Sequence, residues 1–250
     1  MRGATLVLVR LALLAAVLAL WEVLPRSGIV NPMLLPPLSD VLRALGQILV
    51  RGDVHEAMGV TAAEVVVAFM IAVPLGAALG VLSAENAYFG DIFRPMLFYV
   101  FSVPKSIFLP MFILAFGIGF PQKVAYATFS TVFIVIMSAS AAVESVKSEH
   151  LLVAQSYGAT RAQILRRVYL PSMLPILLEA LRISMIFNFT GVMIAEMYAS
   201  RLGIGRLIAD WGENFEMTKL FAGVILLAAA AMVFNEMIRS LEARCSTWRT

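Results

Sequence analysis

The sequence predicts an all-α integral membrane protein with about six transmembrane helices and a helix–elbow–helix segment on the cytoplasmic side. Hydrophobic residues make up 61% of the chain and charged residues only 14%, which is far outside the range of soluble globular domains. Apolar runs long enough to cross a bilayer recur from end to end. We therefore expect one membrane domain over residues 1–250, with the polar segment at residues 144–172.

Six apolar runs, separated by charged residues, glycines and prolines, mark the predicted spans. They cover residues 6–20, 57–82, 95–119, 124–143, 174–198 and 220–238. The first run follows Arg2 and Arg10, as in a signal peptide, yet no small-x-small cleavage site comes after it. Trp21 instead suits the headgroup region at the end of a span. We therefore expect the first span to be retained.

Prolines and glycines mark special places within these runs. Pro104 and Pro110 are expected to break the third span, because proline lacks the backbone N–H that a helix interior needs. Gly76 and Gly80 lie one helical turn apart in the second span, and such a pair allows another helix to approach closely. The runs therefore predict a packed helical bundle with one interrupted span.

The longest polar interruption in the C-terminal half, residues 151–171, has the pattern of a helix, a tight turn and a second helix. Gly158 can adopt a positive φ and so end the first helix. Thr160 followed by Gln163 is a capping-box pattern that starts the second helix. A compact basic elbow between two spans is suited to docking against a soluble partner.

The second helix of the elbow is predicted to be amphipathic and short. Ile164, Leu165 and Val168 fall on one face at helical spacing, and arginines occupy the others. Pro171, with Pro175 after it, is expected to stop this helix before the next apolar run begins.

The elbow also sets the expected orientation, because a docking segment for a soluble partner faces the cytoplasm. Six spans then leave both termini in the cytoplasm. Lys and Arg residues beside the spans are slightly more frequent on that side, which agrees with the positive-inside rule. The same assignment puts Lys123 in a loop on the opposite side of the membrane.

Several elbow residues keep a spacing that resembles a family signature. They are Ala154, Gly158, Val168 and Leu170-Pro171. The signature reads Glu-Ala-Ala, three residues, Gly, nine residues, Ile, one residue, Leu-Pro. It belongs to the inner-membrane subunits of binding-protein-dependent ABC importers. Leu152 stands where the signature has Glu, which removes one polar contact and leaves the position of the loop unchanged.

Further pieces of the chain occur in the order found in the same family. They are Trp21-Glu22, Pro36-Pro37-Leu38-Ser39, Gly76 to Gly80, Ser102-Val103-Pro104-Lys105, Phe116-Gly117-Ile118-Gly119, and Ala195-Glu196-Met197 with Gly203-Ile204-Gly205. With these pieces, roughly the whole chain resembles the branch of importer permeases that handles nitrate, sulfonates, taurine and related small organic anions.

The resemblance implies partners and a location. Such permeases work as a pair, with two ATP-binding cassette ATPase subunits and a periplasmic or lipid-anchored substrate-binding protein, in the bacterial inner membrane. It implies an ATPase-coupling role for Ala154, Gly158, Ala159, Ile164, Val168, Leu170 and Pro171. Six spans are also too few to surround a polar route, so we expect a homodimer, with a heterodimer as the alternative.

The chain carries no signal for a bound cofactor. It lacks the Gly-x-x-x-x-Gly-Lys-Ser/Thr loop, so we expect ATP to be bound by a partner subunit. His55 and His150 lie outside the apolar runs and away from other ligands, which predicts no metal site. The net charge of +3 is spread over the ends of the runs and predicts no nucleic-acid partner.

Two other function classes are weighed against the permease. A membrane enzyme is disfavoured, because no catalytic constellation lies within the apolar runs. A stand-alone secondary transporter is the alternative function. That class needs coupling-ion sites inside the membrane and often shows inverted repeats, and no repeat is visible here. Co-purification with an ATPase subunit separates it from the permease.

Lys105 is the most informative charge. It lies about ten residues into the third run, about 15 Å along a helix and hence near mid-depth. An ammonium there is costly unless it faces water, a partner or a substrate. Two interpretations stay open. In one, the break at Pro104 opens a water-filled gap that solvates or pairs Lys105; in the other, Lys105 attracts an anionic substrate.

Four further polar residues within the spans are candidates for the translocation path. Glu196 is either a gate or packing contact between spans, or a structural partner of a nearby amide or basic group. Asn188 and Thr190 either line the passage or bond a neighbouring helix. Glu64 either lines the outer vestibule or forms a pair at the membrane edge.

Overall fold

The computed structural model describes residues 2–146 and 148–245, and every regular element in that part of the chain is helical. The predicted all-α class is confirmed. The α-helices are α1 (Arg2–Arg26), α2 (Leu38–Ile48), α3 (Gly52–Glu85), α4 (Ala87–Ser102), α5 (Leu109–Phe116), α6 (Phe120–Glu144), α7 (Ser148–Ser156), α8 (Arg161–Ile164), α9 (Leu170–Tyr198), α10 (Ile204–Glu213) and α11 (Met217–Cys245). A 3₁₀ turn, Lys105–Phe108, precedes α5, and a π-helical turn, Leu165–Tyr169, precedes α9.

Six membrane crossings are present if one bent helix pair counts as a crossing. Five helices are long and apolar enough to cross alone: Thr5–Arg26, Gly52–Glu85, Phe120–Glu144, Ile176–Tyr198 and Met217–Met237. The predicted third span consists of two pieces, Tyr88–Ser102 and Lys105–Phe116, which meet at 91°. The break at Pro104 is confirmed. The break expected at Pro110 is wrong, because Pro110 lies in the first turn of α5, where its missing N–H costs nothing.

α3, α6 and α9 form the centre of the bundle, and α3 and α6 approach each other through glycines. A Cβ added at Gly76 would come within 2.6 Å of the Val135 Cβ, and one at Gly80 within 2.5 Å of the Ile136 carbonyl oxygen. The close approach predicted for these two glycines is therefore made to a helix of the same chain.

The sequence predicts that the second helix of the elbow stops at Pro171 and Pro175, and this prediction is wrong. α8, the π-helical turn and α9 follow one another directly, so one helical path runs from Arg161 to Tyr198. The Leu170 N–H bonds to the Leu165 carbonyl five residues back, and this wider turn makes room for Pro171 at the start of α9. Pro171 therefore widens the helix locally instead of ending it.

α1 is held to the rest of the chain at its C-terminal end. Residues 5–20 are exposed throughout. The Trp21 indole donates a hydrogen bond to the Pro36 carbonyl at 3.1 Å, and the Glu22 carboxylate accepts one from the Ser39 N–H at 2.9 Å. The apolar length of α1 is thus left to face lipid or another subunit.

α10 is a short amphipathic helix between the last two spans that the sequence analysis missed. Its buried residues Ile204, Ile208 and Trp211 recur at the spacing of one helical face, which is a signal for such a helix. α11 continues to Cys245, beyond the predicted end of the sixth span. Residues 246–250 lie outside the described residues.

The glycine contact between α3 and α6 gives a direct test of the packing. Gly80→Ala should lower the stability of the purified transporter by about 1–3 kcal/mol, because the new methyl group meets the backbone of α6. Gly59→Ala is the matched control on the same helix, since a Cβ there meets nothing and alanine favours the helix. Thermal unfolding followed by fluorescence compares the two; equal midpoints would contradict the contact.

Candidate functional site

The first part of the site is the turn of the elbow, which forms a Schellman motif. Gly158 has φ +71° and its N–H bonds to the Gln155 carbonyl at 2.9 Å, while the Ala159 N–H bonds to the Ala154 carbonyl at 3.0 Å. The positive φ predicted for Gly158 is confirmed. A Cβ at Gly158 would meet no atom within 4 Å, so the constraint on this residue is conformational rather than steric.

The second helix of the elbow starts as predicted and then departs from the predicted pattern. The Thr160 N–H bonds to Gln163 Oε1 at 2.8 Å and the Gln163 N–H to Thr160 Oγ1 at 3.4 Å, which is the capping box. Ile164 and Val168 are half-buried, but Leu165 is 44% exposed. The π-helical turn starts at Leu165 and shifts the helical period, so the predicted three-residue face is wrong at that position.

The elbow has an attached side and an exposed side. Val168 and Tyr169 pack against a cluster that contains Val143 and Met173 of the neighbouring spans. Other residues of the elbow point away from the bundle with large exposed fractions: Leu152 62%, Val153 57%, Tyr157 88% and Leu170 50%. The exposed side therefore combines apolar residues with the neighbouring arginines, which suits a protein partner.

The second part of the site is a buried polar cluster at the end of the bundle opposite the elbow. Glu64 of α3 is fully buried and forms an ion pair with Lys123 of α6, whose side chain is only 3% exposed. The Lys123 ammonium also donates to Ser200 Oγ at 3.0 Å and to the Leu202 carbonyl at 2.9 Å. These three partners can use all three ammonium protons.

The structure corrects the sequence analysis on Lys123. This residue is not in a loop, because α6 starts at Phe120 and places it in the first helical turn. Pro121, a residue favoured in that first turn, is the sequence signal that could have shown this. Glu64 does form a pair, as one of its two interpretations holds, and the pair is buried.

Glu196 of α9 joins the same cluster and holds the start of α10. Its carboxylate accepts hydrogen bonds from Thr61 Oγ1 and from the Gly205 N–H, both at 2.7 Å. The Ile204 N–H in turn donates to Thr61 Oγ1 at 3.0 Å. A carboxylate at a helix N-terminus is favourable, because the first N–H groups there lack intrahelical partners.

The two glycines after α9 are required by this arrangement. A Cβ at Gly203 would collide with the Glu196 carboxylate, and one at Gly205 would lie 2.8 Å from the Glu196 Cβ. Gly203 also has φ +130°, which other residues rarely adopt. The pairing of Glu196 with the Gly-Ile-Gly segment, noticed in the sequence, is therefore a direct contact.

Asn188 and Thr190 have different surroundings, although they are two residues apart on α9. Asn188 is fully buried, donates to the Val65 carbonyl at 2.7 Å and accepts from Thr131 Oγ1 at 3.4 Å. Thr190 is exposed and donates within its own helix to the Ile186 carbonyl at 2.8 Å. Asn188 thus bonds a neighbouring helix, and Thr190 faces outward into a cavity.

That cavity has a volume of about 250 Å³ and is the third part of the site. Its polar lining comes from Lys105, Ser106, Tyr126, Ser130 and Thr190, together with apolar residues of α9. Among the lining residues that the structure describes there is no carboxylate, and Lys105 is the one charged side chain. The polar lining residues that the sequence analysis missed are Ser106, Tyr126 and Ser130.

Lys105 is held by groups that do not neutralise its charge. Its ammonium donates to the Phe101 carbonyl at 2.9 Å and lies 3.9 Å from the centre of the Phe101 ring. Among the described residues it forms no ion pair. The ammonium therefore keeps donors for a further ligand, in contrast to Lys123. The same described residues contain no group of three or more His, Cys, Asp or Glu side chains that could hold a metal ion.

A comparison with protein families identifies the chain at this point. The family described as the binding-protein-dependent transport system inner membrane component matches residues 56–246, which is most of the sequence. The chain belongs to this family. It is a membrane-spanning permease subunit of an ABC importer, not an enzyme, and the stand-alone secondary transporter is set aside.

Two relatives support the predicted branch of the family. The permease is 29% identical over 240 residues to the taurine transport system permease protein TauC of Escherichia coli (strain K12), which covers 94% of this chain and 87% of that one. It is 25% identical over 239 residues to the putative aliphatic sulfonates transport permease protein SsuC of Bacillus subtilis (strain 168), with 96% and 87% covered. Both relatives agree with the branch of the family that the sequence resembles.

Solved structures share the fold. A bacterial ABC transporter for import of the acidic polysaccharide alginate matches with a TM-score of 0.68 and 14% identity, covering 95% of both chains. The MetNI methionine ABC transporter, in an inward-facing conformation, matches with a TM-score of 0.60 and 20% identity, covering 88% of this chain and 99% of that one.

Thr61 gives a test of the polar cluster. Thr61→Val keeps the shape but removes the hydroxyl that serves both Glu196 and the start of α10, and we expect a loss of about 1–3 kcal/mol. Thr128→Val is the control, because the Thr128 hydroxyl makes one long bond, 3.4 Å, to the Ala68 carbonyl. Chemical denaturation of the purified transporter measures both; a smaller effect at Thr61 than at Thr128 would refute the role of this hydroxyl.

Proposed function

We propose that this permease forms the passage for a small anion in a bacterial importer, with ATP bound and hydrolysed by a separate cassette subunit. The observation that carries the choice of an anion is the Lys105 ammonium, which has no carboxylate beside it among the described residues that line its cavity. The relatives named for taurine and aliphatic sulfonate transport agree with it, since sulfonates are anions. A periplasmic or lipid-anchored binding protein would deliver the solute.

The ATPase subunit docks on the coupling loop at residues 144–172, which places both termini in the cytoplasm. Exposed apolar residues on the free side of the elbow support this contact, because a solvent-facing tyrosine and leucine are costly to leave uncovered. The continuous helical path from Arg161 to Tyr198 supports coupling. A displacement of the elbow can pass along this path to Glu196 at the opposite end.

A second copy of the permease closes the passage. The cavity opens on the side where Thr190 is exposed, and lipid there would contact the Lys105 ammonium. Charge within a bilayer is stable only against water or protein. In a homodimer, the same cavity of the second copy faces this one, and a polar route lies between the two copies.

Gly158 tests the coupling role of the elbow. Gly158→Val should reach the membrane normally, yet bind the ATPase poorly and lose uptake, because valine resists the positive φ by roughly 1–3 kcal/mol. Gly158→Asn is the matched control, since asparagine adopts this conformation more readily. Co-purification with the ATPase, ATP hydrolysis and solute uptake are measured together; wild-type values for Gly158→Val would defeat the proposal.

Substitution of Lys105 tests whether the cavity is part of the passage, because it should change how the cavity discriminates between anions and cations. In a Cys245→Ser background, Thr190→Cys is labelled with methanethiosulfonate reagents that carry a negative or a positive charge. We expect the anionic reagent to be favoured, and Lys105→Met to reduce the ratio of the two rates by about tenfold or more. Lys105→Arg, which keeps the charge, should preserve the ratio.

Two results would contradict this proposal. The first is a rate ratio that Lys105→Met leaves unchanged. The second is a Thr190→Cys side chain that neither reagent reaches from either side of the membrane, because the cavity would then lie off any water-filled route.

A further inference from the structure

Lys123 ties a turn of the backbone to the helical bundle. The turn at residues 199–203 follows α9 and exposes Arg201 and Leu202. Its Ser200 hydroxyl bonds within the turn to the Leu202 carbonyl at 2.5 Å, and both oxygens also accept from the Lys123 ammonium. One buried cation therefore holds the turn in a closed shape and fixes it to α6.

The same cation links the turn to α3, since its third partner is Glu64. Glu196 ties the other side of the turn to α10 and to Thr61. Three spans and α10 thus meet at this end of the bundle through polar contacts. All of these contacts are made by side chains that are nearly or fully buried.

The cluster adjoins the cavity that contains Lys105. Tyr126 lines the cavity and follows Lys123 by one helical turn on α6, and Ile194 lines it two residues before Glu196 on α9. The ends of α6 and α9 that carry the cluster therefore also carry the wall of the cavity at the end opposite the elbow.

We propose that Lys123 is a positioning residue that latches this end of the passage shut. Its ammonium fixes the turn at residues 199–203 to the first turn of α6 and to Glu64 of α3, and the passage opens to the outside when these bonds separate. The inference rests on the proposed passage, because it is that route the latch would close. An ion pair kept only for stability could be replaced by apolar side chains without loss, whereas a latch also needs the bonds to the turn.

The test is the rate at which a membrane-impermeant anionic thiol reagent, added from outside, labels Thr190→Cys. The variant is Lys123→Met together with Glu64→Met, which removes both charges of the ion pair, while Glu196 keeps its bonds to Thr61 and to the Gly205 N–H. We expect labelling to rise by about tenfold while association with the ATPase is retained. Glu64→Gln with Lys123→Gln serves as a second variant that keeps polar side chains, should the first fail to fold.

Two matched changes separate the latch from general loosening. Lys123→Arg, with Glu64 unchanged, keeps the charge and the N–H donors, so labelling of Thr190→Cys should stay slow. Arg206→Met breaks the exposed Arg206–Asp210 pair on α10 and should leave the rate unchanged. Slow labelling in both double variants overturns the latch, as does fast labelling in the Arg206→Met control.

Failure of the latch and failure of the proposed function give different results. If Lys105→Met does not alter charge selectivity but the double variants still label faster, the anion proposal fails and the latch stands. If selectivity depends on Lys105 and the double variants label slowly, the latch fails alone. A cysteine at position 190 that is unreachable in every variant overturns both.

Discussion

The structure depends on one constraint: within the bilayer, a buried charged side chain is costly unless the protein supplies its partners. The Lys123 ammonium is paired with a carboxylate, a hydroxyl and a carbonyl, and the Glu196 carboxylate is bonded by a hydroxyl and a backbone N–H. These bonds connect α3, α6 and α9. They also bring α10 back against the bundle, which explains why Gly203 and Gly205 have no side chain where the Glu196 carboxylate lies.

The elbow and this cluster occupy opposite ends of one helical path. A helix broken at Pro171 would have separated the two ends mechanically, but the π-helical turn before it keeps the path continuous. The elbow is attached to the bundle on one side through Val168 and Tyr169. Under the proposed coupling, packing near the elbow would resist its movement and the continuous helix would transmit it along α9, which favours a tilt of the whole span over a local change.

Local signals in the sequence predicted local structure well. The apolar runs, the positive φ of Gly158 and the capping box of Thr160 each depend on a few neighbouring residues, and each is present. The predictions that failed depend on contacts between residues far apart in the sequence, or on a helix whose number of residues per turn changes. The partner of Lys123 is on another helix, so spacing along the chain carries no trace of it, and the π-helical turn exposes Leu165 because the period assumed for that face no longer applies.

Two lysines within the spans show how the same side chain serves two purposes. The charge of Lys123 is neutralised by Glu64, and its N–H donors bond to the turn after α9, so this lysine connects parts of the protein. Lys105 bonds one carbonyl, lies against one aromatic ring and keeps its charge uncompensated beside open space. Burial alone does not distinguish a structural charge from a functional one; the distinction lies in whether the surrounding protein already satisfies it. By that criterion Lys105, which forms no ion pair with any residue that the structure describes, is the better candidate for binding a solute.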